Sequence, residues 1–425
     1  MRTLTLLALL AAPVVARAQP AEAPAPPPPD VPAPETPIKE AAPEPKAEKP
    51  QLSITYDKGV AFAAPDGKFA LKLSFRNQLR FESTRPTEDN SQFASHFLIP
   101  RSRLQVEGHV FGKTTRYKLE VGLGESGSFS FVKDLYLDQQ LHAAPVWLRA
   151  GVWKRPFNRQ ELVSDFASEF NERAITATFV GGGRDIGLAV HNDYEKSPEG
   201  IEWALGIFNS FNGGEDRPKI TGCTTNMMTG TTTCPAPTNF PADFAPAVVA
   251  RAGWNSGDIK GYSEGDLEGG PLRYAVAAAY KIDLGNFAKQ AEDSVADNLS
   301  HGLELDAMVK VEGASIELGA YMMRLPASKA SNKSGEAGLG AFGQVGYMVV
   351  PKRFQLCGRF AIAPDAKTVD RNQLEGRVAV NLYWQGHAWK WATDAGVLKT
   401  TGEDPTTMAT DKPDFVLRSM LQLTL

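Results

Sequence analysis

The sequence predicts an all-β protein, a sixteen-stranded antiparallel transmembrane β-barrel. Apolar and polar residues alternate with a period of two in one segment after another, which is typical of strands with one apolar and one polar face. Beyond the N-terminus, no stretch reaches the roughly 18 consecutive apolar residues of a membrane-spanning helix. The connections also alternate between short and long, as they do when hairpins close into a barrel.

Segment 69–82 shows the alternation most clearly, because apolar Leu73 and Phe75 are interleaved with polar Ser74 and Arg76. In all, sixteen such segments follow one another, an even number, as a bacterial barrel requires. The other four clear segments are 98–110, 115–123, 134–141 and 146–153. Eleven weaker segments are 184–191, 201–209, 247–256, 271–283, 301–313, 314–325, 338–350, 352–363, 372–383, 387–398 and 414–425. The long connections, predicted to be external loops, include 83–96, 154–183, 210–246, 257–270, 284–300 and 399–413.

The chain has 425 residues, and its first 68 lie outside the predicted barrel. Residues 1–18 predict a signal peptide, with a positive start, a short apolar run and a small-x-small cleavage site. Residues 19–50 are rich in proline and alanine and predict a periplasmic spacer, either in contact with the cell wall or without a partner. Residues 51–68 form a short N-terminal segment that leads into the barrel, predicted over 69–425.

The polar faces of the first five segments carry more cations than acids. Arginine stays charged and presents several donors in a fork, which suits transient contacts with anions. These faces therefore predict a pore wall that attracts anions, and the alternative is a solvated lumen whose charges only keep the water column wet. The acids on these faces are Glu82, Glu107, Glu120, Asp134 and Asp138. The predicted pore-lining, anion-contacting residues are Lys72, Arg76, Arg80, Arg101, Arg103, Arg116, Lys118 and Arg149.

Residues 154–183 form the third long loop, which is predicted to fold inward and narrow the pore. Within it, 158–173 predicts a short helix with two stripes. The apolar stripe, Leu162, Phe166 and Phe170, is expected to pack on the inner wall, and an acidic stripe lies beside it. Between 154 and 185 the chain carries five cations and five acids, so the loop is balanced. Its acids either oppose the wall arginines across the pore or pair with them and leave net positive charge exposed. The predicted constriction residues are Lys154, Arg155, Arg159, Glu161, Asp165, Glu169, Glu172 and Arg173.

Other chemistries lack their signatures in the sequence. The formal net charge is -4, so the chain has no overall basic character for nucleic-acid binding. The six histidines show no metal-ligand spacing, and no nucleophile motif occurs, so no metal, cofactor or enzyme activity is predicted. Cys223 and Cys234 predict a disulfide within the loop 210–246, with free thiols as the alternative. Cys357 lies in a strand segment and is expected to be a small packed residue.

Six motifs follow one another over residues 97–210. They are Ile99-Pro100-Arg101-Ser102-Arg103-Leu104 followed by Val106-Glu107-Gly108, Tyr117-Lys118-Leu119-Glu120, Val132-Lys133-Asp134-Leu135-Tyr136-Leu137-Asp138, Leu148-Arg149-Ala150-Gly151-Val152-Trp153-Lys154-Arg155-Pro156-Phe157, Gly183-Arg184-Asp185-Ile186-Gly187 and Ala204-Leu205-Gly206-Ile207-Phe208-Asn209. In their order and spacing the chain resembles the phosphate-selective porin O/P family. The resemblance implies a channel for phosphate or other anions in the outer membrane of a Gram-negative bacterium. It also implies a homotrimer surrounded by lipid and lipopolysaccharide.

The sequence therefore predicts an outer-membrane porin that passes small anions, phosphate or polyphosphate among them, by passive diffusion. One alternative is a general porin with weak selectivity. The other is a structural barrel that tethers the envelope through residues 19–50.

Overall fold

The structure is a computed structural model that describes most of the barrel. It describes residues 52–85, 92–123, 132–141, 145–180, 183–209, 224–225, 232–233, 246–284, 300–324, 337–364, 371–402 and 413–425. The predicted signal peptide, the predicted spacer and the predicted disulfide between Cys223 and Cys234 lie outside these residues.

Sixteen antiparallel strands in the described ranges form one closed barrel, which confirms the predicted fold class. Strands are numbered along the chain from a short hairpin, β1 (Ser53–Tyr56) and β2 (Val60–Ala63). The barrel then begins with β3 (Ala70–Arg85), β4 (Ala94–His109), β5 (Thr115–Gly122), β6 (Asp134–Gln140), β7 (Trp147–Lys154), β8 (Arg184–His191) and β9 (Gly200–Phe208). Outside the barrel sheet, β10 (Thr224–Thr225) pairs with β11 (Thr232–Thr233). The barrel continues with β12 (Ala247–Ser256), β13 (Arg273–Asp283), β14 (Ser300–Val311), β15 (Ala314–Arg324), β16 (Ala337–Val350), β17 (Phe354–Pro364), β18 (Asn372–Tyr383), β19 (Trp389–Thr400) and β20 (Asp414–Thr424).

The alternation in sequence places apolar side chains outside the barrel and polar side chains inside it. On β3, Leu73, Phe75 and Leu79 are exposed on the outer face, whereas Ser74 and Gln78 are buried on the inner face. The same alternation of exposed and buried residues continues through β15 and β18. The outer face therefore suits lipid, and the polar groups of the inner face have to find their partners inside the barrel.

β3 is the seam of the barrel, because it pairs with segments from both ends of the described chain. β20 pairs with β3 over its second half, and Leu425 exchanges backbone hydrogen bonds with Phe75. β2 pairs with β3 between Ala70 and Leu73. The hairpin thus becomes the neighbour of β3 where the last strand ends, and residues 52–63 extend the barrel wall.

Short and long connections lie at opposite ends of the barrel, with one departure from the predicted sorting. Each antiparallel strand crosses the wall once, so successive connections alternate between the ends whatever their length. The prediction that 257–270 is an external loop is wrong, because β12 begins beside the end of β9 and ends beside the start of β13. This connection, residues 257–272, therefore lies at the end that holds the short turns 312–313 and 351–353.

The prediction of a continuous helix over 158–173 is wrong as well. The segment holds a single helical turn, α1 (Arg159–Leu162), and a second short helix, α2 (Ile175–Val180), begins beyond it. Backbone amides that a helix would satisfy internally donate to other carboxylates, since Glu169 donates to Glu264 and Asn171 to Asp394. Tertiary contacts thus override the helical pattern. In the described part of the chain, no helix has the length and apolar character needed to cross a membrane.

A charge placed on the outer face tests the assignment of the two faces. Leu318 lies on the outer face in the middle of β15, and Leu339 lies on the outer face of β16 near the long-loop end. We expect Leu318→Arg to lower the unfolding free energy by about 2–4 kcal/mol and Leu339→Arg by about 0–1 kcal/mol, because the cost of a charge facing lipid falls towards the interface. Urea titration of the refolded protein in lipid vesicles measures both values. Equal costs at the two positions would contradict the assignment.

Candidate pore and its inward segments

Residues 155–180, here called the inner loop, continue from β7 and run across the interior of the barrel. The amide of Arg159 donates to the carboxylate of Glu304 on β14 (2.7 Å). The amide of Asn171 donates to the carboxylate of Asp394 on β19 (3.0 Å). The inner loop therefore reaches strands on the wall opposite its own.

Residues 257–272, here called the turn segment, enter the barrel from the short-turn end and meet the inner loop. The amide of Glu264 donates to the carbonyl of Ala167 (2.8 Å). The amide of Glu169 donates in return to the carboxylate of Glu264 (2.6 Å). Two connections from opposite ends of the barrel are thus hydrogen-bonded to each other in its interior.

The two inward segments pack against the wall formed by β14 to β19. Inward-facing side chains there are completely buried, including those of Glu304, Gln355 and Asn381. On the other side of the barrel, Arg76 of β3 and Lys118 of β5 keep part of their side chains exposed. The part of the interior that stays open to water in the described residues therefore runs along β3 to β5, beside the predicted basic wall.

Glu172 of the inner loop links two of the predicted wall cations. Arg80 binds its carboxylate at 2.5 Å and Arg101 at 2.8 Å. Burial alone would raise the pKa of Glu172, but Arg101 and Arg80 lower that pKa to about 2. The ion pairs therefore stabilise the loop fully above the ordinary pKa of 4.5, and this contribution is lost progressively as the pH falls from there through about 2.

Glu120 of β5 gathers two further wall cations behind the ring of Phe166. Arg103 binds Glu120 at 3.0 Å, and Arg76 binds the other carboxylate oxygen. Both guanidinium groups also lie over the Phe166 ring, at 4.8 Å for Arg76 and 5.8 Å for Arg103. The apolar residue that was predicted to pack on the inner wall thus packs against cations of that wall.

The other predicted wall cations lie towards the short-turn end. Lys72 stands in register with Glu107 of β4. The remaining three form the pairs Lys118–Asp134 (2.8 Å), Arg116–Asp193 (2.9 Å) and Arg149–Asp138 (2.8 Å). Arg149 is buried and holds both oxygens of Asp138, so this pair fixes the wall.

Asp165 is the acid that ties the inner loop most firmly to the basic wall. Its carboxylate binds Arg103 of β4 at 2.8 Å, Arg101 at 3.4 Å and Arg173 of the loop itself at 2.6 Å. Burial alone would raise the pKa of Asp165, but the three arginines hold it well below its usual range. Glu161 makes a looser pair with Arg173, at 3.3 Å. Three loop acids, Glu161, Asp165 and Glu172, therefore pair with arginines, and pairing is one of the two arrangements that the sequence leaves open.

The basic residues at the start of the inner loop hold its backbone. Lys154 donates to two loop carbonyls, including that of Val163 (3.0 Å). Arg155 lies 3.8 Å from Asp185 across the base of the loop. Arg159 is buried beside Asp306 of β14 and faces the interior away from β3 to β5. These three predicted constriction residues thus position the loop and lie away from the open side of the interior.

Glu169 differs from the other loop acids, because no ion pair in the described residues neutralises it. Ser315 and Gln355 each donate to one of its oxygens at 2.5 Å, and Gln344 donates to the other at 3.1 Å. Burial and the neighbouring Glu264 raise the pKa of Glu169 to about 7.

Sequence reasoning missed the charged groups of the later strands. Arg251 of β12 binds Asp306 of β14 at 2.8 Å, and Arg377 of β18 binds Asp394 of β19 at 2.5 Å. They stand at inward positions of segments with weak alternation. Those positions in the alternating pattern could have identified them as interior charges. Glu264, in the turn segment, carried no such signal.

A cavity of about 630 Å³ opens at the short-turn end of the barrel between β4 and the turn after β8. Arg116, Lys118 and Arg149 of the predicted wall line it, together with Lys113 and Lys196. Four acids also line it: Glu107, Asp138, Asp193 and Glu195. Its lining comes from β4 to β7 and from the turns at that end, so cations and acids lie close together there.

A model of the family described as phosphate-selective porin O and P matches residues 71–227. The match confirms the resemblance carried by the motifs. The chain is an outer-membrane porin. Its family match and its fold are those of a channel.

Solved structures of other outer-membrane channels share the porin's barrel fold. The anion-selective porin from Comamonas acidovorans is 9% identical, with 84% of this chain and 99% of that chain covered and a TM-score of 0.53. OprB of Pseudomonas putida is 10% identical, with 87% and 95% covered and a TM-score of 0.51. The channel DcaP of Acinetobacter baumannii is 13% identical, with 85% and 99% covered and a TM-score of 0.50. No curated protein sequence matches the chain.

The role of Asp165 as an anchor of the inner loop can be measured directly. We expect Asp165→Asn to lower the unfolding free energy of the porin by about 3–5 kcal/mol, because buried arginines lose their partner. Glu161→Gln is the matched control and should cost less, since Glu161 binds one partly exposed arginine. Denaturant titration of the refolded porin gives both values. A loss from Asp165→Asn no larger than that of the control would contradict the anchoring role.

Proposed function

We propose that the porin passes small anions, phosphate among them, by passive diffusion along the β3–β5 wall. The observation that carries the proposal is the unequal exposure of paired charges. Arg76 is 14% exposed and its partner Glu120 only 1%. Lys118 is 22% exposed and its partner Asp134 only 6%. The cations therefore stand in front of the carboxylates that neutralise them, and a passing ion meets positive charge first.

This arrangement suits conduction as well as attraction. Each cation already has a carboxylate partner, so a passing anion competes with that partner and is released readily. A row of weak sites allows ions to enter and leave, whereas a single strong site would hold them. The similar barrel from Comamonas acidovorans is described as an anion-selective porin, which supports the proposal by analogy of fold only.

Charges near the long-loop end favour a mild preference over strict selectivity. There Glu172 is 31% exposed, whereas its partners Arg80 and Arg101 are 7% and 12% exposed. An anion entering from that side meets a carboxylate before it meets arginine, and like charge repels it. A general porin with weak selectivity is therefore the second candidate function, and phosphate specificity requires its own test.

Reversal potentials in planar bilayers test the anion preference. We expect the purified porin under a KCl gradient to be more permeable to chloride than to potassium. Arg76→Gln and Lys118→Gln should each reduce the permeability ratio by up to about fivefold, and the double variant by up to about thirtyfold, since a unit charge near an ion in water contributes about 1 kcal/mol. Glu120 and Asp134 keep Arg103 and Arg184 as partners in this variant, so the wall should still fold.

The control is Lys399→Gln, which removes one positive charge from the outer face of β19 and is compared with each single variant. It should leave the ratio unchanged. A preference of the wild-type porin for potassium would contradict the proposal. An equal change of the permeability ratio in the control and the double variant would contradict the role assigned to Arg76 and Lys118.

Phosphate added to the chloride solution separates the two candidate functions. If the wall binds phosphate during passage, millimolar phosphate should reduce the chloride current of the wild-type porin, and the double variant should be less sensitive. A chloride current that phosphate leaves unchanged would favour the general porin.

A further inference from the structure

The contact between the inner loop and the turn segment contains two carboxylates, Glu169 and Glu264, that form no ion pair among the described residues. The carboxylate of Glu264 accepts the amide of Glu169, and both side chains are buried. Two neighbouring buried carboxylates cannot both ionise cheaply, because burial and like charge each oppose ionisation. This contact is therefore sensitive to protons, unlike the arginine-bound contacts of Asp165 and Glu172.

The surroundings of Glu169 provide hydrogen bonds in place of an ion pair. Lys310 of β14 donates to the carbonyls of Lys260 and Ser263 in the turn segment, at 3.0 and 2.6 Å. Lys390 of β19 donates to the carbonyl of Ser168 at 2.5 Å. Both lysines thus bond to backbone of the two segments. The titratable groups that face Glu169 are Glu264, Lys310, Glu317, Cys357, Tyr383 and Lys390. His387 donates to the backbone carbonyl of Glu264 (3.1 Å).

Two further features show that the wall is shaped around the Glu169 carboxylate. A Cβ atom at Gly346 of β16 would lie 2.1 Å from its Oε1 atom, so only glycine leaves the required space. Gln344 donates both to Glu169 and to Glu317 of β15. The other oxygen of Glu317 is buried and has no hydrogen-bond partner among the described residues. A bound proton within this cluster would relieve the cost of such an unpaired buried group.

We propose that Glu169 and Glu264 form a proton-controlled latch, which holds the inner loop against the turn segment when Glu169 is protonated and loosens when it ionises. The latch acts on the width of the pore whatever ion the pore prefers, so it stands apart from the proposed anion preference.

The direction of the effect follows from linkage. The pKa of Glu169 is about 7 when the loop is docked, and 4.5 is the ordinary value that a released, hydrated loop would show. A raised pKa in the docked state means that docking is strongest below the released value and weakens as the pH rises. The docking equilibrium should fall by up to about tenfold per pH unit between those two values and level off above the higher one.

Single-channel recording of the full-length porin between pH 4.5 and 8 tests the latch. We expect the open probability or conductance to rise several-fold between about pH 5 and pH 7.5. Glu169→Gln should stay at the low value throughout, because the amide cannot ionise. Glu172→Gln is the matched control on the same loop, and it should keep the wild-type pH dependence because Glu172 stays ionised over this range.

Cys357 offers a second readout that does not depend on conductance. It is a buried free thiol of β17 that packs with Phe170 of the inner loop. If the loop loosens, a small charged thiol reagent should label it faster. The labelling rate of wild-type relative to Glu169→Gln at the same pH should rise several-fold from pH 5 to pH 7.5, as measured by mass spectrometry of the peptide that contains Cys357.

Two results would overturn the latch. One is a wild-type conductance that does not change between pH 4.5 and 8. The other is a Glu169→Gln variant that keeps the wild-type pH dependence in both readouts. Should Glu169→Gln fail to fold, Glu264→Gln tests the same contact from the turn segment. Removing that neighbouring charge should shift the midpoint of the transition to lower pH, and an unshifted midpoint would equally contradict the proposal.

Discussion

Charge neutralisation inside a closed wall is the constraint on which the interior of this porin depends. The outer face of the strands meets lipid, so their charged side chains turn inward and have to be paired there. The inner loop supplies much of what they need. Asp165 pairs with arginines of both the wall and the loop. Acids on β14 and β19 accept hydrogen bonds from backbone amides of the inner loop. Ion pairs and amide–carboxylate bonds therefore hold the loop, and its position is set by partners that face it from several strands.

This way of filling the barrel makes the pore asymmetric. The loop and the turn segment lie against β14 to β19, where inward side chains are buried, and leave the β3–β5 side open to water. Glu120 and Asp134 have two effects on that side. They cancel the formal charge of the wall, but they are buried behind Arg76 and Lys118, so the charge that a passing ion meets first is positive. Selectivity in such a pore depends on the depth of each partner more than on the net count of charges.

The sequence was sufficient for the wall and for part of the loop. Alternation in 69–82 identifies the inward position of Arg76 and Arg80 because a strand has only two faces. The acids Asp165 and Glu172 could be expected to oppose arginines, since loop and wall charges have few other partners. The helix over 158–173 could not be excluded from sequence, because its competitors are carboxylates on distant strands. The role of Glu264 could not be predicted for a related reason, because only the order of the strands places the turn segment in the interior of the barrel.

The seam at β3 has a consequence for how the barrel closes. Antiparallel strands can slip along each other by two residues without changing which side chains face lipid, so alternation alone does not fix the closing register. Here β2 already occupies the edge of β3 from Ala70 to Leu73, and Leu425 pairs with Phe75 just above it. A slip of β20 in that direction would collide with the hairpin. The short hairpin ahead of the barrel thus limits the register in which β20 can pair with β3.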